Sequence, residues 1–296
     1  MEPATPTPIV EWLTPDDAAW LQGNSAPSTL VERVCEGFRV AVFRSTSGAA
    51  PTAWLAGTLQ RGGVGFFDPP AATTQISEIQ AQLLLRFMVD HFANSAGMIQ
   101  LMLPTGAPST EKAALDSDFQ FGADLLLLGR ECSEAELEPI EPPLSFGPCE
   151  EELPAVLQQT YVETLDCPML SGKRPISEVI EGYAATGATQ KALWRTLYLN
   201  DVPLGCVLVS AHPKLDISEL VYMGLIPQAR GKGLGMRLLI EAERLTLENG
   251  LRRMVIGVDG ANLPARTIYE ASGYAIWEQK RVFLWFPKSI GGDAAP

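Results

Sequence analysis

The strongest chemistry in this chain lies in the run Arg230-Gly-Lys-Gly-Leu-Gly235. Glycines at 231, 233 and 235 carry no Cβ, so successive backbone N–H groups can turn toward one point and a ligand can approach them closely. Arg230 and Lys232 add two full positive charges. A helix beginning on this run contributes its unpaired first-turn amides and the partial positive charge of its N-terminus. Such a set of donors describes an anion site suited to a pyrophosphate. The run is not a nucleoside-triphosphate loop, because the GK(S/T) ending is missing, and no acidic residue stands where a dinucleotide fold holds its ribose. A glycine-rich turn can also be only a tight connection, so the flanking elements must decide.

Upstream, Glu219–Ile226 reads as a strand stopped by Pro227. Downstream, from Gly235 to Glu248, Leu238, Leu239, Ala242 and Leu245 recur at helical spacing with Arg237, Glu241, Arg244 and Glu248 between them, and Asn249–Gly250 closes the pattern. This is an amphipathic helix entered through the glycine turn. Around it the pattern predicts helices at 150–165 and 176–185, strands at 193–199 and 205–211 joined by the turn Asn200–Asp201, a strand at 254–258, a short helix at 263–271 capped by Asn262, and a last strand at 281–286. This order predicts an α/β (α+β) layer structure with a mixed sheet.

At 296 residues the chain is long enough for two domains. Its 46% hydrophobic and 19% charged content suits a packed core. Ser133–Pro148 gathers acidic residues with Pro139, Pro142 and Pro143, which a helix interior or central strand does not tolerate, and reads as a linker whose end, Leu144–Phe146, can already be the first strand of the second domain; the domains are then expected at 1–140 and 145–288, with a flexible tail at 289–296. Five scattered cysteines without a CxxC pair predict neither a disulfide framework nor a zinc site, and they suit a cytoplasmic location. Two histidines make a histidine-rich metal centre hard to build, so no metal is expected. A formal charge of −13 opposes binding to nucleic acid and favours a cationic partner. The apolar runs are too short to span a bilayer, so no membrane association is expected, and the first eight residues read as neither a signal nor a transit peptide.

The first half repeats the element order more faintly. Strands are expected at 38–43, 54–60 and 64–67, then a helix at 76–93, a strand at 98–103, a short helix at 110–115 and a strand at 124–128. Gly97 before an apolar strand matches Gly250, and Phe121–Gly122 matches Ser272–Gly273–Tyr274, both offset by about 150 residues. Where the second half has its glycine turn, the first has Phe67-Asp-Pro-Pro-Ala-Ala-Thr-Thr: the prolines remove donors and Asp68 repels an anion. This half is expected to bind no phosphate ligand and to shape the acceptor site or pack on its neighbour.

Taken together, Glu219-Leu-Val-Tyr-Met-Gly-Leu-Ile-Pro-Gln-Ala-Arg230-Gly-Lys-Gly-Leu-Gly235 resembles the R/Q-x-x-G-x-G/A segment of the GNAT superfamily of N-acetyltransferases, with Arg230, Gly233 and Gly235 on its defining positions. Asn262, Tyr269 and Ser272-Gly273-Tyr274 resemble that family's second block. The resemblance covers about 140 residues, and the doubled order is similar to tandem members with the architecture of mycothiol synthase. It implies two tandem GNAT-like domains, each a mixed, mostly antiparallel sheet flanked by helices, the first of them degenerate. It further implies acetyl-CoA as cosubstrate, its pantetheine against the main chain of Leu225 and Ile226 and its pyrophosphate on Arg230, Gly231, Lys232, Gly233, Leu234, Gly235 and Met236, with Asn262 as a further contact or only a helix cap. Direct attack by an amine acceptor is implied, with Glu219 as base, Tyr269 as the acid that meets the thiolate, and a main-chain N–H near Leu225 for the oxyanion. A strand-end glutamate can equally be a solvated residue, and a helix tyrosine a packing one. Residues 164–174 are expected at the acceptor, where Asp166 would meet a cation and Cys167 would line the pocket rather than act as nucleophile. The alternative is a non-catalytic acyl-CoA-binding or interaction module. Acceptor identity lies in loops that these motifs do not encode.

Overall fold

The computed structural model describes residues 8–23, 28–149, 151–188 and 191–288; Glu150, expected to open a helix, and the tail 289–296 lie outside the described residues. In chain order the elements are β1 (Ile9–Trp12), α1 (Pro15–Gly23), α2 (Ser28–Cys35), β2 (Arg39–Arg44), β3 (Ala53–Gln60), β4 (Val64–Phe67), β5 (Ala71–Ala72), α3 (Glu78–Phe92), β6 (Met98–Pro104), α4 (Pro108–Leu115) and β7 (Gln120–Glu131). There follow β8 (Leu144–Pro148), α5 (Leu153–Thr160), α6 (Ile176–Ala184), β9 (Trp194–Leu199), β10 (Val202–His212), β11 (Ile217–Leu225), α7 (Leu234–Glu248), β12 (Arg253–Asp259), α8 (Leu263–Ala271) and β13 (Ala275–Trp285). β1, α1, α2 and the two-residue β5 have no counterpart in the sequence reading; α1 in particular has almost no separation of apolar from polar faces.

The chain forms two compact units, residues 1–122 with 281–296, and residues 123–280. The division therefore precedes the proline-rich stretch instead of coinciding with it. That stretch lies wholly inside the second unit, where Leu144–Pro148 pairs with β9 and Arg237 on α7 holds Glu138 at 2.6 Å. The reason is strand pairing. The apolar run Leu125–Leu128, which the repeat assigns to the first half, is hydrogen-bonded antiparallel to β12, Leu125 opposite Asp259 and Glu131 opposite Arg253. In return β13 leaves the second unit after Lys280, and its Phe283 and Trp285 enter the core of the first. Prolines mark where a helix or ladder cannot continue, but they do not specify which core the flanking strands join.

In the first unit the strand order is β1-β2-β3-β4-β6, antiparallel except for β4 beside β6. α3 packs Leu84, Leu85 and Met88 against Ile99, Leu101 and Leu55, all fully buried. In the second unit the order is β7-β12-β11-β10-β9-β8, antiparallel except for β11 beside β12. Each unit is thus a mixed, mostly antiparallel sheet with helices on it.

β10 shows why its run Cys206–Val209 is apolar without interruption. Val207, Val209 and Ala211 pack with Leu238, Leu239, Ala242 and Leu245 of α7, whereas Cys206 and Leu208 pack with Leu153, Val156 and Leu157 of α5 and with Trp194. Successive side chains of a strand point to opposite faces, so a stretch covered on both reads as a continuous apolar run instead of an alternating one. The connection of β9 to β10 is the predicted one: Asn200 and Asp201 have φ of 48° and 63°, the left-handed pair a tight hairpin requires.

Candidate active site

β11 and β12 run parallel only from Ile217 opposite Arg253 to Leu220 opposite Ile256. Beyond that β11 continues to Leu225 and β12 to Asp259 without pairing, so the two strands part at their carboxyl ends. A bulge assists the parting: the β10 register shifts between Leu208, opposite Tyr222, and Val209, opposite Leu220, leaving Val221 extra. Before the bulge Leu220 faces α7; after it Met223 and Leu225 do so, and Tyr222 faces α5.

The parting leaves main-chain groups of β11 without a strand partner. The amide of Ile226 donates to the carbonyl of Leu204 at 2.9 Å, which makes Gly205–Leu225 a pair of the kind that exchanges no hydrogen bonds. The N–H and C=O of Leu225, and by alternation those of Met223, therefore point away from β10 into the gap. Of the two positions expected to meet pantetheine, Leu225 presents its amide and Ile226 does not, because β10 has taken it. Met223 presents its amide in the same way, an orientation that depends on the bulge and on the β10 register.

The glycine turn sits just past the end of β11. Gly231 and Gly233 have φ of 71° and 76°, and a Cβ at either would meet nothing, so the space before them is open. Gly233 is the N-cap of α7 and offers no side-chain cap. The amides of Gly231, Lys232, Gly233, Leu234 and Gly235 meet no acceptor among the described residues, while Met236 donates to Gly233. Lys232 is exposed. A Cβ on Gly235 would stand 2.7 Å from Cδ1 of Ile268 on α8, the tip of a side chain that can move aside. Arg230 departs most from expectation. Its guanidinium turns away from the turn and donates to the carbonyls of Leu225, Thr160, Val162 and Glu163 at 3.1, 3.0, 2.8 and 3.1 Å.

At the end of β12, Asp259 accepts the amides of Ala261 and Cys167 at 2.9 and 3.1 Å, and its own amide donates to Asp166 Oδ1 at 2.9 Å. Asp166 is exposed as a residue, but its carboxyl turns inward; desolvation raises its pKa, and the Asp259 charge raises it further against the amide of Asp259 and the Asn262 side chain. Asn262 caps α8 through Ala265 N at 3.3 Å. Tyr269, two turns along α8, is 5% exposed and packs against Tyr274 at 6.0 Å. Burial, with a smaller contribution from Asp166, holds its phenol well above the ordinary range, hence protonated at neutral pH. Cys167, in a left-handed conformation at φ 43°, is buried, and its thiol is pushed up to about 12 by desolvation and then by Asp166 and Asp259. Such a thiol is no nucleophile.

Glu219 lies on the α5 side of the sheet before the strands part, and its Oε2 is 2.9 Å from Nε2 of His212 on β10. The sequence reading gave His212 no role; the signal is only that a tight β10–β11 connection makes residues seven apart diagonal neighbours. On the same face Tyr161 and Tyr183 each stack with Tyr222, at 5.6 and 5.5 Å, and join their hydroxyls, while Tyr222 bonds Thr160 Oγ1 at 2.7 Å.

In the first unit the equivalent place is closed. β4 stays paired with β6 to its last residue, Phe67 opposite Leu101, Asp68 donates its amide to Ala56 and is held by Arg33 at 3.0 Å, and the chain folds back to pair with β3 through β5. α3 is capped by its own Ser77 and Gln80, and it begins with Glu78.

Residues 160–274, from the end of α5 to the residue before β13, match the Acetyltransferase (GNAT) family. This segment belongs to that family. Part of the chain is 33% identical over 80 residues to the mycothiol acetyltransferase of Arthrobacter sp. (strain FB24), covering 27% of this chain and 24% of that protein. It is 34% identical over 68 residues to the mycothiol acetyltransferase of Acidothermus cellulolyticus, covering 23% and 21%. The matched stretches thus span less than a quarter of these curated relatives. The whole chain has the fold of a GCN5-related N-acetyltransferase from Sphaerobacter thermophilus, with TM-score 0.63, 14% identity, and 99% and 98% of the two chains covered. It is likewise similar to a tandem GNAT protein from the clavulanic acid biosynthesis pathway, with TM-score 0.57, 10% identity, and 96% and 100% covered. Tandem GNAT architecture therefore describes both units. No helix among the described residues is long and apolar enough to cross a membrane, and no group of three potential metal ligands occurs among them.

The environment of Cys167 is directly testable. With its thiol near 12, roughly one part in ten thousand is ionised at pH 8. Iodoacetamide at pH 8, followed by peptide mass mapping, should label the exposed Cys35 and leave Cys167 unmodified. Equal labelling would mean that Cys167 is neither buried nor held protonated.

Proposed function

We propose that this chain is an acetyl-CoA-dependent N-acetyltransferase whose reaction takes place in the second unit, at the parted ends of β11 and β12. The observation that carries this reading is the uncapped, glycine-entered N-terminus of α7 beside the unpaired edge of β11, within the segment that matches the family. Converging amides at the positive end of a helix suit the pyrophosphate of acetyl-CoA. The free edge of β11 suits an extended pantetheine, which carries amides of its own able to pair as a strand would.

In this reading Gly231, Lys232, Gly233, Leu234 and Gly235 hold the pyrophosphate through main-chain amides, with the ammonium of Lys232 near it; Met236, whose amide donates to Gly233, only continues the helix. Met223 and Leu225 supply amides in the gap, for pantetheine and for the oxyanion that forms as a neutral amine attacks the thioester. Glu219, steadied by His212, accepts the amine proton directly or through water. Tyr269, kept protonated by burial, gives a proton to the departing thiolate, and Asn262 holds the start of the helix that carries it. The acceptor enters beside residues 161–174. The net charge of −13 favours a cationic amine, and five free cysteines suit a reducing, cytoplasmic setting. The first unit has no open turn and its expected role is architectural. A non-catalytic acyl-CoA-binding module is the competing reading; it needs the turn but neither Tyr269 nor Glu219.

Three measurements divide these roles. Calorimetric titration of the full chain with acetyl-CoA should give micromolar binding, which Gly233→Glu should weaken at least about a hundredfold, since a side chain at φ 76° is strained and its carboxylate repels phosphate; equal binding by both proteins would remove the turn from the site. Tyr269→Phe should lower turnover about 10²-fold or more with the binding constant nearly unchanged. Unchanged turnover would remove Tyr269 from the reaction. Glu219→Gln should flatten the acid limb of the pH–rate profile, and an unaltered profile would assign the base elsewhere.

A further inference from the structure

Arg230 occupies a defining position of the anion turn, yet its side chain serves another part of the unit. α5 stops at Thr160, and the last carbonyls of a helix have no partner within it. The guanidinium of Arg230 takes up the carbonyls of Thr160, Val162 and Glu163 and adds the carbonyl of Leu225, so that four of its five N–H groups are engaged. A cation there also complements the negative end of the helix. The contact is tight: a Cβ on Gly224 would stand 2.9 Å from Cβ of Thr160, so only glycine lets the end of β11 lie against the end of α5.

The segment that leaves α5 then runs to the opposite strand. Val162 and Thr164 donate to Gln159 and Tyr161, Glu163 is left-handed at φ 52°, and Asp166 and Cys167 are hydrogen-bonded to Asp259, the last residue of β12. Residues 161–167 therefore cross from the carboxyl end of β11 to that of β12, over the place where the two strands part. Arg230 fixes one end and Asp259 the other. Left-handed residues such as Glu163 and Cys167 persist only where surrounding bonds impose them.

We propose that Arg230 is a positioning residue and not a phosphate ligand: its guanidinium fastens the strap 161–167 to the end of β11 and occupies the carbonyl of Leu225, so that the Leu225 amide is the group left free in the gap. The strap assignment deepens the acetyltransferase reading, because it places the acceptor-side segment under the control of the same residue that opens the coenzyme turn. It follows that the charge of Arg230 is not what matters to the coenzyme, whereas the fork of its guanidinium matters to the strap.

The test compares Arg230→Lys, which keeps the charge and loses the fork, with Arg230→Gln, which loses both. Amide hydrogen exchange and titration with coenzyme A are measured on the full chain. In both variants the amides of 161–167 should exchange at least about tenfold faster than in the unsubstituted protein. Coenzyme A should bind less than about tenfold more weakly, to the same extent in both. Wild-type affinity in Arg230→Lys with a loss of about a hundredfold in Arg230→Gln, and no change in exchange at 161–167, would make Arg230 an anion ligand and overturn the proposal. If coenzyme A binds none of the three proteins, the acetyltransferase reading fails while the exchange rates still decide the role of Arg230. Should the variants not fold, the 15Nε resonance of Arg230 in the unsubstituted protein decides it: no change on adding coenzyme A supports the clasp, and a shift with phosphorus coupling refutes it.

Discussion

The second unit is organised around a row of amides that its own chain does not satisfy, at the exposed turn 231–233 and along the half-buried end of β11. The parallel pair β11 and β12 separates after Leu220 and Ile256, the bulge at Val221 turns the strand, and α7 begins on a left-handed glycine with no side-chain cap. The sheet is held firmly on either side, by β10 packed on both faces and by β7 paired along β12. The gap therefore lies between well-packed strands, an arrangement that suits donors meant to meet developing charge.

The first unit shows the same element order with the equivalent place closed. Its parallel pair stays together to the end of β4, its turn returns to β3, and its long helix is closed by a capping box with an acidic residue beside it. Proline removes donors where the other unit has glycine. A sheet-and-helix layer remains, without a glycine-entered helix start. Few residues separate the two outcomes because the anion site is a property of turn and helix start, while the layer rests on apolar periodicity.

Arg230 illustrates how a member of a motif can also be claimed by a distant part of the fold. Composition places a cation in the turn, and a cation near amides suggests a phosphate contact. The orphan carbonyls at the end of α5, 67 to 70 residues away in sequence, are stronger claimants on a forked donor already within reach. His212 and Met223 escaped notice for a related reason: a histidine seven residues before a glutamate has no meaning until the β10–β11 register makes them neighbours, and a methionine amide has none until a bulge turns it outward.

The sequence by itself determined the local order. Apolar spacing placed α3, α6, α7 and α8 and most strands within a few residues, Asn200–Asp201 fixed the hairpin, and the glycines of 231–235 marked the helix start, because these depend on the conformational range of individual residues and on side-chain period. Only the tertiary structure decided which core each strand joins. Leu125–Leu128 and Phe283–Trp285 are apolar runs that any sheet edge could accept, and their exchange between units, like the clasp of Arg230 on α5, follows from contacts between residues far apart in the chain, which no local pattern records.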